Sequence, residues 1–144
     1  MMGKVCCALV LAAVAIGWAS SSLAEGALAV GLPGGDPSKG FRWSAKVNNP
    51  NAAAEAMESC RASRYPAIAA ACVLITTFSD QCVAIAANAA PDVSVTGAGW
   101  AIAPDSASAK SRAIAQCNIM RKGTGQPCTL DNNGEALFCD GSAK

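Results

Sequence analysis

The residues able to do chemistry in this chain are cysteines and carboxylates, because it contains no histidine at all. Beyond residue 24 the cysteines stand at 60, 72, 82, 117, 128 and 139. Three uses compete for them. Zinc sites favour short C-x-x-C spacings and histidine partners; these spacings are long, so no metal ligand set is expected. A thiol nucleophile needs a histidine or similar base beside it, and none is available. An even set of cysteines in a small exported chain reads as disulfides, each stabilising by about 2–4 kcal/mol. Asp80, Asp131 and Glu135 fall near turns and could meet as an acid–base pair. Turn formation explains aspartates there more simply, so no catalytic residue, no cofactor and no enzyme is expected.

Those cysteines need an oxidising compartment, and the start of the chain supplies a route to one. Lys4 leads into an apolar run from Val5 to Ala19, followed by Ser22-Leu23-Ala24. This is the pattern of a secretory signal peptide over residues 1–24, and the run is too short for a membrane span of about 20 residues. Cys6 and Cys7 leave with it. Residues 25–144 have the size of one domain, secreted or periplasmic, with no membrane attachment after cleavage. Without Lys4 the basic and acidic residues balance, which gives no electrostatic footprint for nucleic acid. Arg61, Arg64, Arg121 and Lys122 cluster where helices should end, where cations suit the helix dipole.

The elements that position these residues come in two copies. A shift of 57 residues lays Gly40, Trp43, Ala52 and Cys60 over Gly97, Trp100, Ala109 and Cys117. Cys72 then falls near Cys128, and Cys82 on Cys139. The reading is a pseudo-twofold domain, repeat one about 26–81 and repeat two about 82–139. Six cysteines allow 15 pairings; a spatial twofold leaves several of them, and the set expected among these is Cys60–Cys72, Cys117–Cys128 and Cys82–Cys139, the last across the axis. Asn133-Gly134 supports a competing arrangement, since it is a hairpin signal that would set Cys128 opposite Cys139.

Each copy reads as strand, loop, strand, helix, strand. Ala27–Val30 is a short apolar strand. The segment 32–39 holds prolines and glycines and must turn, and Phe41–Val47 resumes the sheet. Asn49-Pro50 marks a helix start, with Ala53, Ala56, Met57 and Cys60 on one face. Pro104-Asp105 opens the second helix, which Gly123 ends. Val73–Phe78 is rich in β-branched residues and reads as a buried strand, turning through Ser79-Asp80-Gln81 into Val83–Ala87. A last hairpin joins Thr129-Leu130 to Ala136–Phe138. The fold class is α+β, with two helices packed on antiparallel sheet.

The small-residue strand from Gly26, Gly40-Phe41-Arg42-Trp43-Ser44, the alanine-rich segment 52–60 ending in cysteine, and Asp80-Gln81-Cys82-Val83-Ala84-Ile85-Ala86 opening a second copy together resemble domain of unknown function 4189. The resemblance covers nearly all of residues 25–144. It implies a bacterial exported protein built from the doubled unit, and it carries no activity and no catalytic residues. The segment 63–71 departs from the pattern, being longer than the usual link between helix and strand.

The composition leaves three classes of function. The first is a module that binds a protein or an envelope component, with its surface on the loop 32–39, the matching loop 89–96 and the Tyr65-Pro66 connection; its candidate residues are Asp36, Lys39, Tyr65 and Asp92. The second is a secreted effector or inhibitor-like protein, and the third a small hydrolase using the carboxylates above. Trp43 and Trp100 occupy equivalent strand positions, where large aromatics fill the core rather than form a ligand platform.

Overall fold

Two strands, β1 (Gly26–Gly31) and β4 (Cys82–Asn88), are buried along their whole length, and the rest of the molecule is arranged around them. The computed structural model describes residues 25–88, 95–121, 123 and 125–144; the expected signal peptide, residues 1–24, and Asp92 lie outside this set. Side chains alternate across a strand, so each central strand serves two faces. Ala27 and Ala29 of β1 pack against Ala52, Ala56 and Cys60 of helix α1 (Ala52–Arg61). Ala84 and Ala86 of β4 pack likewise against Ala109, Ala113 and Cys117 of α3 (Ser106–Met120). The opposite faces carry the larger residues Leu28, Val30, Val83 and Ile85, which meet one another together with Phe78 and Ala136. Small residues let each helix sit close to its sheet, and larger ones fill the space between the two sheets.

The result is four layers: α1, a first sheet, a second sheet and α3. The first sheet runs β2 (Arg42–Lys46), β1, β3 (Cys72–Phe78), all antiparallel. The second runs β5 (Ala98–Ala103), β4, and then β6 (Cys128–Leu130) with β7 (Leu137–Cys139) along the same edge of β4. Two short segments, α2 (Pro66–Ala70) and α4 (Asp131–Gly134), complete the fold. The α+β class with helices on antiparallel sheet is what the sequence implied, divided between two sheets. Helix α2 lies within the long 63–71 connection, which the sequence reading left without an element. Asn49 and Pro50 form a turn ahead of α1, in which the Asn49 side chain accepts from Asn51 N at 2.8 Å.

Two expected strands differ from the structure. Residues Val73, Leu74 and Ile75 are exposed, not buried. The β-branched residues Val73, Ile75, Thr76 and Thr77 favour a strand, but β3 lies at the sheet edge, and a bulge opposite Leu28/Ala29 interrupts its register with β1. Residues 128–139 do not form a hairpin. Asn132 and Asn133 both have positive φ, at 51° and 57°, so the chain loops out and returns in its original direction. β6 and β7 are therefore one interrupted edge strand, and Ala136 O accepts from Ile85 N at 2.9 Å in the gap.

The disulfides join Cys60 to Cys72, Cys117 to Cys128 and Cys82 to Cys139. The first two tie each helix to a strand of its own layer. Cys82–Cys139 does not cross between halves as expected. Those residues are direct neighbours on β4 and β7, so the bridge stays within the second sheet. No disulfide joins the two sheets; apolar contact and a few polar links do. Trp43 Nε1 donates to Asp131 Oδ2 at 2.6 Å. Asp140, only 2 % exposed, accepts from Asn48 N at 2.7 Å and from Asp80 N at 3.3 Å. Such buried carboxylates persist only when their lone pairs are used.

Candidate functional site

A local hydrogen-bond pattern sets the shape of the loop between β1 and β2. Asp36 accepts from Ser38 N at 3.0 Å and from Ser38 Oγ at 2.7 Å, closing a 3-10 turn over Pro37–Lys39. The Ser38 hydroxyl, then the Ser38 amide, hold the Asp36 carboxyl below its ordinary value. Gly40 follows with φ 124°, a conformation open to glycine, and a Cβ there would collide with the Ile68 side chain. Ile68 fills the niche beside Gly40 and Gly31. It thereby docks α2 against the loop.

That docking brings Tyr65 and Pro66 alongside Lys39, Gly40 and Phe41, and Val95 joins them. Between them lies a groove of about 560 Å³, within the range of ligand sites. Pro66 stands at the first position of α2, where its fixed φ suits the helix. Tyr65, the chain's single tyrosine, is 53 % exposed, and the Arg64 guanidinium lies 4.9 Å from its ring centroid, a cation–π arrangement. Phe41 stacks on Trp100 with centroids 6.4 Å apart, which anchors the groove wall in the inter-sheet core. Lys39 is the one charged residue among the described residues that line the groove. A smaller depression of about 440 Å³ shares Pro37 and Ser38 and extends past Asp36 to Met120 and Arg121.

The structure thus places Lys39 and Tyr65 in one groove and Asp36 beside it; Asp92 lies outside the described residues. Phe41 and Ile68 escaped the sequence reading, because one reads as an ordinary strand residue and the other as part of a connection. Proline followed by Ala-Ile-Ala-Ala was the available signal for a helix there. Trp43 and Trp100 stand at the margin of the inter-sheet core, half-buried. Trp43 meets Phe138 at 5.8 Å and Trp100 meets Phe41. Each is engaged separately, and they form no shared platform.

The carboxylates belong to different hydrogen-bond sets. Asp80 Oδ1 accepts from Ser142 N at 3.1 Å and Ser142 Oγ at 3.3 Å, whereas Asp131 accepts from Trp43. Among the described residues no three His, Cys, Asp or Glu side chains group as a metal site, and no helix is long and apolar enough to cross a membrane.

Residues 25–133 match a family described as "Domain of unknown function (DUF4189)". Comparison with curated proteins and with solved structures gives no match.

Proposed function

The chain therefore belongs to the DUF4189 family, and we propose that it is an exported, non-catalytic binding module whose groove between Lys39 and Tyr65 receives part of a protein or envelope component. The observation that carries this reading is the convergence of three separate segments on one open surface. Pro37–Phe41, Tyr65–Ile68 and Val95 meet there, although no requirement of core packing exposes a tyrosine. Three disulfides support export, since such bridges persist in oxidising compartments. Among the described residues lysine is the one charged group lining the groove, which offers a surface for recognition.

Two measurements test the proposal. Intact mass of the exported protein should begin at Glu25, with thiols alkylated only after reduction; native free thiols or a retained leader would defeat the export reading. A photo-crosslinking amino acid at Tyr65 should capture a discrete adduct in the exporting cells, while the same group at Glu58, exposed on α1, should not. Equal capture from both positions would refute the groove as the binding surface.

A further inference from the structure

The three residues after Cys139 tie the second sheet to the first. Asp140 accepts from Asn48 N at 2.7 Å and from Asp80 N at 3.3 Å. Gly141 N donates to Asn48 Oδ1 at 2.9 Å, and Ser142 N donates to Asp80 Oδ1 at 3.1 Å. Asn48 lies just beyond β2 and Asp80 just beyond β3, so Asp140–Ser142 grips both outer strands of the first sheet at one end. Asn48 and Asp80 both hold positive φ, at 53° and 50°. That conformation costs energy in residues other than glycine and persists where surrounding bonds fix it. Gly141 passes close enough that a Cβ there would strike Asp80 Oδ1. The segment is a latch, closed on two backbone corners that it helps to hold.

A disulfide sets where the latch begins. Cys82 and Cys139 are already ladder partners, at the end of a β7 only three residues long. So short a strand at a sheet edge opens readily, and the bridge fixes Cys139 to the first residue of β4. It thereby keeps Asp140 within reach of Asn48 and Asp80. Of the six bridged cysteines, Cys60, Cys72, Cys82, Cys117 and Cys128 are buried, and Cys139 alone is half-buried. Thiol–disulfide exchange requires a thiolate to reach one sulfur of the bond. We infer that Cys82–Cys139 is a redox site, which an exogenous dithiol opens ahead of the other two bridges, and that its opening releases Asp140–Ser142 from the first sheet. One thiolate of the dithiol attacks Cys139 Sγ and expels the Cys82 thiolate. The second displaces Cys139 from the mixed disulfide, and the dithiol departs as a disulfide, having passed two electrons to the protein. Each freed cysteine takes up one of the two protons that the dithiol gives up.

The test exposes the oxidised protein to graded dithiothreitol under native conditions, quenches it with iodoacetamide and maps the alkylated cysteines by mass spectrometry. Cys82 and Cys139 should be alkylated together, about tenfold sooner than the cysteines of the other two bridges, since access governs exchange. In the protein reduced at this bridge alone, amide hydrogen exchange should rise about tenfold at Asn48 and Asp80 and stay unchanged at Val30 of β1. Asp140→Ala removes the latch without touching the bridge. Coupling is reciprocal, so that variant should be reduced at Cys82–Cys139 by less dithiothreitol than the parent chain. Reduction of all three bridges together, or of either other bridge first, would overturn the redox site. Selective reduction that leaves exchange at Asn48 and Asp80 unchanged, or raises it equally at Val30, would overturn the latch.

Discussion

The layer built on β1 and the layer built on β4 use the same order of strand, strand and helix, yet they close their third strands differently. β3 is continuous, exposed at Val73–Ile75 and held by the Cys60–Cys72 bridge. Its counterpart is cut into β6 and β7, held by two bridges, and loops out far enough for Asp131 to bond Trp43 of the other layer. The helices also seat differently. Gly99 lets the backbone of α3 press on β5, where a Cβ would strike Ala113 O and Cys117 N. In the first layer Arg42 reaches across to Ser59 O at 3.1 Å instead. The second layer is the braced one, and the groove is built mainly on the loops of the other. A binding surface assembled from lightly held segments on a stapled base fits the general division between rigid scaffold and functional loop.

The sharpest way to break this comparison is to substitute one residue of similar chemistry in each layer. Ile85→Ala, on a strand buried on both faces, should cost about 2–5 kcal/mol, whereas Val73→Ala, 54 % exposed, should stay within about 0.5 kcal/mol. Urea denaturation decides it, and similar losses would show that β3 is covered in solution. The bridges come next. Replacing Cys82 and Cys139 by alanine removes a constraint spanning 57 residues, against 12 for Cys60–Cys72. Chain entropy makes the longer loop costlier by about 1 kcal/mol, visible as a lower denaturation midpoint. Equal midpoints would remove the basis for calling the second layer the braced one.

An effect smaller than the loss of a whole bridge, about 2–4 kcal/mol, belongs to the link between the layers. Trp43→Phe keeps most of the apolar contact but deprives Asp131 of its indole donor, and a loss of about 1–2 kcal/mol is expected. Unchanged stability would mean that apolar contact alone joins the sheets. The smallest effect is a pH dependence. Ser108 N, then the Ser108 hydroxyl, hold the Asp105 carboxyl below its ordinary value of 3.8. A lowered folded-state value stabilises above the unfolded value, and that contribution fades as pH falls through the folded one. Asp105 caps α3 whereas Asp36 caps one short turn, so Asp105→Asn should lower Tm at neutral pH more than Asp36→Asn. Both differences should disappear in strong acid, and thermal melts across that range would show it.

Much of the scaffold was legible because it rests on local rules. Ala27–Val30 and Val83–Ala87 announced strands, Asp105 announced a helix start, and Ala56 with Cys60 announced a buried helical face. The same rules misread Val73–Phe78, since β-branched residues specify a strand without specifying what covers it. They misread Asn133-Gly134 too: the dipeptide permits positive φ, but whether the chain reverses or bulges depends on the edge of β4 waiting to be paired. Of the site, Lys39 and Tyr65 were found as loop residues, separately. Nothing local says that they share a groove.

The sequence by itself determined the order of the central strands and the two long helices, the cysteine set and which faces of the central strands carry alanine, because each follows from side-chain period and backbone preference over a few residues. Only the tertiary structure decided that there are two sheets, that Cys82–Cys139 stays within one of them, and that Ile68 seats beside Gly40 to bring Tyr65 to Lys39. These outcomes depend on contacts between segments distant along the chain. Their energies belong to pairs of surfaces, so no single stretch of residues encodes them.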